Sequence, residues 1–89
     1  MTINVTQKHM NNGLRNGGRV FNPIALAIVE AYELKPGSVW VGEGRVYVRG
    51  SFGTALVTHP IPLVKEFTQL WAAGQNVQPF QLELPFERS

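Results

Sequence analysis

The chain has 89 residues, 44% of them hydrophobic and 16% charged, which suits one globular domain over 1–89 and leaves little room for a second core. It contains no cysteine, which excludes disulfides and thiolate chemistry and fits a reducing, cytoplasmic setting. The net charge of +2 is unevenly spread: Lys8, Arg15 and Arg19 precede Glu30 with no acid among them, whereas five basic residues and six glutamates follow Val29.

The first strand expected is Thr2 to Val5, with Ile3 and Val5 on its buried side. Thr6 then stands where a helix N-cap belongs, and a brief helical turn to Met10 or Asn11 ends at Gly13. Asn11 to Gly18 (NNGLRNGG) is rich in residues that tolerate positive φ and reads as a loop. Its glycines, with Lys8, Arg15 and Arg19 nearby, form a secondary candidate for holding an anion. It lacks the order of a nucleotide-binding loop, so a connector is the simpler expectation.

Asn22-Pro23 is strong helix punctuation, an Asn cap followed by Pro at the first helical position. The main helix is expected over Ile24 to Leu34, stopped by Pro36-Gly37. Only Glu30 and Glu33 are charged in it, on one face with Leu26. A helix this apolar is either the central core element or is covered on a second side by a partner, and a two-fold dimer would place Leu26 at or near the contact.

Ser38 to Gly50 (SVWVGEGRVYVRG) reads as a hairpin. If its loop holds two or four residues, Val39, Val41, Val46 and Val48 share one face and Trp40, Arg45, Tyr47 and Arg49 the other. A three-residue loop with Gly44 in the left-handed region would shift the pairing, but the even loops gather the four valines. The valine face is a floor for helices. The Trp40, Arg45, Tyr47, Arg49 face has the composition of a partner-binding hot spot or a base-stacking platform, although aromatics in a hairpin more often simply pack across strands or are covered by another element such as the C-terminal segment.

Gly53 to Thr58 is a candidate third strand, and His59-Pro60-Ile61-Pro62 breaks it. A second helix follows from Leu63 to Ala73, with Leu63, Val64, Phe67, Leu70 and Trp71 on one core stripe. Pro79 to Phe86 alternates Phe80, Leu82 and Leu84 against Gln81 and Glu83, the pattern of a half-buried strand kept to an edge by its prolines.

No catalytic constellation emerges. His9 and His59 are the only side chains suited to act as bases near neutral pH, and neither has a sequence-adjacent acid; two histidines fifty residues apart, with no cysteine or aspartate, make a poor metal set. No cofactor, metal or membrane contact is therefore expected. The longest apolar run, Ile24 to Val29, is too short to span a bilayer, and the opening residues have no signal-peptide pattern.

INVTQKHMNNGLR, with NPIALAI after a short gap, resembles a set of small uncharacterised phage and bacterial proteins. These carry Thr-x-x-His-Ile/Met-x-x-Gly and then Pro-Ile/Val-Ala-x-Ala, here Thr6, His9, Met10, Gly13 and Pro23 to Ala27. The resemblance covers the first third of the chain, with a looser echo in FQLELP. It implies a phage-type origin and no particular activity. Those relatives often have cysteines just before the proline where this chain has Val20, Phe21 and Asn22, so no metal or redox role would carry over.

The expected fold is α+β, a small antiparallel sheet around the central hairpin with two helices packed on one face. The expected function is that of a non-catalytic protein-interaction module, a phage-type accessory factor binding a host protein or itself. The alternative is a nucleic-acid binder using Trp40, Arg45, Tyr47 and Arg49.

Overall fold

The structure, a computed structural model, describes residues 2–13, 21–35, 37–42, 44–49 and 55–85. In chain order it runs β1 (Thr2–Val5), α1 (Gln7–Asn12), α2 (Pro23–Ala31), β2 (Val39–Gly42), β3 (Arg45–Arg49), β4 (Ala55–Val57), α3 (Pro62–Ala72) and β5 (Phe80–Glu83). This is an α+β fold with two antiparallel sheets, β2-β3-β4 and β1-β5. The Cα radius of gyration is 11.9 Å, close to the roughly 12 Å expected for a domain of this length. Among the described residues no helix is long and apolar enough to cross a membrane.

Helix α2 is the middle of the molecule. The Asn22 side chain accepts from the Ile24 amide at 2.8 Å, and its amide group donates to Thr68 Oγ1 on α3 at 3.4 Å. Pro23, Ile24, Ala25, Ala27 and Ile28 are buried. The helix packs against β2 on one side and β1 on another, with α1 beside it. Its apolar circumference is thus covered twice by this chain, which is why so few polar residues interrupt it.

The helix ends earlier than Leu34. Tyr32 is the C-cap, Glu33 takes the left-handed region at φ 54°, and Leu34 N donates back to Val29 O at 2.9 Å while Glu33 N donates to Glu30 O at 3.3 Å. That is a Schellman motif with glutamate in the position glycine usually fills. Helix α3 ends identically with the usual residue: Gly74 has φ 81°, Gln75 N donates to Leu70 O at 3.0 Å and Gly74 N to Trp71 O at 3.1 Å.

The hairpin takes an even register, because Gly42 pairs with Arg45, Val41 with Val46, Trp40 with Tyr47 and Val39 with Val48. This even register puts all four valines in the core, joined by Val64, Phe67 and Trp71 of α3. The turn is held to the start of α3, where Ile61 N donates to Gly44 O at 2.8 Å. Strand β4 adds Tyr47↔Val57, Val48↔Leu56 and Arg49↔Ala55, and Thr58 continues the ladder by donating its amide to Val46 O and accepting from Val46 N on Oγ1.

Two expectations need correcting. The terminal strands do not extend the hairpin sheet. They pair with each other, Ile3 opposite Leu82 and Val5 opposite Phe80, and bring Ile3, Val5, Leu82 and Leu84 into the same core. Each strand has one apolar side, and the ribbon they form covers the side of α2 that the valines cannot reach. Secondly, the buried stripe of α3 is only Val64, Phe67 and Trp71. Leu63 and Leu70 are 42% and 40% exposed, on the flank of α3 that faces Val77 and Phe80 across a shallow groove. Phe67 itself reaches β5, its ring centroid 5.0 Å from that of Phe80.

Gly13, the expected helix stop, caps α1 without a left-handed turn, at φ −74°. Its role is close approach: a Cβ there would lie 2.9 Å from Pro23 Cγ and 3.1 Å from the Phe21 carbonyl oxygen. At the other end of α1, Thr6 and His9 form a capping box in which the imidazole replaces the usual Glu or Gln. His9 Nδ1 accepts from the Thr6 amide at 2.9 Å. The remaining proton is then on Nε2, 3.3 Å from Glu30 Oε2 on α2. Lys8 Nζ lies 3.3 Å from the same carboxylate oxygen. Thr6, His9, Gly13 and Pro23, the spaced residues of the N-terminal pattern, thereby fasten α1 to α2.

The core assignment predicts that Val41→Asp and Phe67→Asp, each burying an unpaired charge at a site 2% exposed, cost several kcal/mol against a total of about 5–10 kcal/mol. Neither variant should show a cooperative thermal transition. The paired helix ends predict opposite signs. Gly74→Ala should lower stability by about 1 kcal/mol and Glu33→Gly should raise it by up to about that much, each kcal/mol moving the melting temperature by roughly 4–8 °C.

Acid should loosen the α1–α2 contact. Hydrogen bonds from Lys8 and then His9 hold the Glu30 carboxyl below its ordinary 4.5, and the Thr2 hydroxyl holds Glu83 below the same value. A depressed folded-state value means that the stabilisation is complete above about pH 4.5 and is lost as pH falls through the folded value. Urea midpoints taken from about pH 6 to about pH 3.5 should fall, and fall less in Glu30→Gln, whose midpoint at pH 6 starts lower.

Candidate functional site

The outer face of the β2-β3-β4 sheet follows from the parity that buries the valines. Trp40, Tyr47 and Val57 lie opposite one another on three adjacent strands and form a row across the sheet. Arg45 and Arg49 precede and follow Tyr47 on the same face of β3, both exposed. Trp40 is 50% exposed, Val57 47%, and Tyr47 is half-buried. The C-terminal strand, which could have covered this face, is paired with β1 instead. All four residues singled out in the hairpin are therefore brought together on one surface.

The row is held in place from below and beside. Trp40 Nε1 donates to the Gly37 carbonyl at 3.3 Å, pinning the indole against the turn that leads into β2. That turn is closed by Ser38 N donating to Lys35 O at 3.1 Å, and Ser38 O accepts from Arg49 N at 2.8 Å. Between the indole and Arg49 lies a cleft of about 210 Å³ lined by Gly37, Ser38, Trp40, Tyr47, Val48 and Arg49. A drug-sized ligand generally needs roughly 300–1,000 Å³, so this cleft suits one side chain or one flat ring. Among the described residues neither Arg45 nor Arg49 has a carboxylate within ion-pair distance. Val57 was not among the hairpin residues singled out, since only the pairing of β4 with β3 places it beside Tyr47.

The secondary anion candidate is not assembled in the same way. Lys8 is engaged with Glu30, and Arg15 and Arg19 lie outside the described residues.

Neither histidine stands as far from an acid as the sequence suggests. His9 is buried against Glu30, but its Nδ1 is spent on capping α1 and its Nε2 on joining α1 to α2. His59 is exposed and shares a broad depression with Glu83, whose carboxylate accepts from the Thr2 hydroxyl. Among the described residues no three of His, Cys, Asp and Glu are grouped so as to hold a metal ion.

Compared with models of protein families, with curated proteins and with solved structures, the chain matches none.

Proposed function

We propose that the protein is a non-catalytic protein-interaction module that binds its partner on the outer face of the β2-β3-β4 sheet. The observation that carries this is the Trp40–Tyr47–Val57 row, with Trp40 and Val57 exposed and Tyr47 half-buried, fixed by strand pairing and flanked by two arginines that have no carboxylate partner among the described residues. Aromatic residues and arginine are the types most enriched where binding energy concentrates. The resemblance of the N-terminal third to small phage proteins supports a phage-type origin, with which an accessory factor that binds a host protein is in keeping. A partner of different sequence is favoured over a second copy. A two-fold pairing of this face would set arginine toward arginine, and α2 is already covered within the chain.

Nucleic acid is the alternative the same face suggests, since bases stack on exposed Trp and Tyr. The charge on the face argues against it. Two arginines would neutralise about two phosphates, giving a salt slope of only about −1.4 for a single strand, a small share of what nucleic-acid binders use.

The test is capture of the partner from the native host, with and without nuclease, followed by titration of the purified pair at about physiological ionic strength, where the Debye length is about 8 Å. Trp40→Ala or Tyr47→Ala should weaken the complex by about 2 kcal/mol or more, and Arg45→Ala or Arg49→Ala by less, with a mild salt response. Trp71 is buried, so a change in tryptophan fluorescence reports on Trp40. A complex that nuclease removes, or one indifferent to Trp40→Ala, overturns the proposal.

A further inference from the structure

Resting on the assignment of the partner to this sheet face, we infer that the segment recognised is an extended acidic peptide of the pattern acid-x-apolar-x-acid, lying along β3. Arg45 and Arg49 are four residues apart on one face of one strand, which at about 3.3 Å per residue separates them by about 13 Å. An extended peptide repeats its side-chain direction every second residue, so its first and fifth residues are also about 13 Å apart and face the same way.

Midway between the two arginines is Tyr47, with Trp40 directly across from it. The third residue of such a peptide therefore arrives over the aromatic pair, beside the cleft of about 210 Å³ that Trp40, Tyr47 and Arg49 line. That space admits one side chain. Charge complementarity sets the flanking residues: the face presents two guanidinium groups and, among its described residues, no acid. Carboxylates at positions one and five pair with groups that have no carboxylate partner within the described chain, while an apolar side chain at position three covers the exposed indole.

The experiment follows Trp40 fluorescence while the full chain is titrated with a capped peptide, Gly-Gly-Glu-Ser-Phe-Ser-Glu-Gly-Gly, which carries no tryptophan of its own. Three controls replace both acids by lysine, replace phenylalanine by serine, or move the acids next to the phenylalanine. Each should bind about tenfold more weakly or worse. The double variant Arg45→Glu/Arg49→Glu changes only exposed side chains; it should lose the acidic peptide and gain the lysine peptide. Equal binding of the acidic and lysine peptides, or no signal from the acidic one up to about 1 mM, overturns the inference.

Its failure is separable from failure of the surface itself. If the native complex still depends on Trp40 but the acidic peptide does not bind, only the acidic pattern falls. If single-stranded DNA or RNA quenches Trp40 and the peptides do not, the acidic peptide and the protein-binding face fall together.

Discussion

Helix α2 offers water almost nothing until Glu30, and most of the architecture follows from having to cover it on more than one side. A helix with a single apolar stripe can lie on one sheet and stay wet on its back. Here Ile24, Ala25, Ala27 and Ile28 are all at or below 2% exposure, so one layer is not enough. The hairpin valines supply the first cover. The second is the β1-β5 ribbon, closed by strands that lie nearly the whole chain apart. Because the two layers share this helix, the core is continuous from Val39 to Leu84 although the sheets are separate.

The same distribution of elements explains why an aromatic surface is left open. The described residues provide three helices, of which α1 has six residues and is fastened to α2, and α3 is drawn to the valine face by Val64, Phe67 and Trp71. The last strand is committed to β1. Among the described elements none remains to lie over Trp40 and Tyr47. Their exposure is a consequence of where the helices are needed. Trp40 and Tyr47 are set opposite each other by the pairing of β2 with β3, so the fold carries the pair without covering it.

Local chemistry was legible in the sequence and long-range pairing was not. Asn22-Pro23 announced the start of α2, and the parity of four valines predicted the even hairpin loop with its Trp40, Arg45, Tyr47, Arg49 face. The partner of a strand, however, is not written in its own alternation: Thr2–Val5 and Phe80–Glu83 each show only that one side is apolar. Likewise His9 meets an acid 21 positions away, a contact created by the packing of α1 on α2. Leu63 and Leu70 fit a helical stripe as well as Val64 and Trp71 do, and only the position of β2 decides which of them is covered. Glu33 hid the true end of α2 because glutamate gives no hint of a left-handed conformation, whereas Gly74 marked the end of α3 openly.

What distinguishes the open face from an ordinary exposed patch is that its largest side chain is anchored by a hydrogen bond, from Trp40 Nε1 to the Gly37 carbonyl. Binding through a surface tryptophan normally includes the loss of its rotamer freedom, of the order of 0.5–1.5 kcal/mol for an immobilised side chain. The bond to the Gly37 carbonyl restricts the rotamers open to Trp40 before any partner binds, which lessens that cost. Arg45 and Arg49 are different: long, exposed and without carboxylate partners among the described residues, they keep their freedom until a carboxylate orders them. The partner proposed above would therefore meet an anchored aromatic centre and an adaptable charged rim. In such an arrangement the centre supplies affinity and the rim supplies orientation and discrimination, because desolvated aromatic contact is favourable whichever partner provides it while an arginine rejects any residue of its own sign.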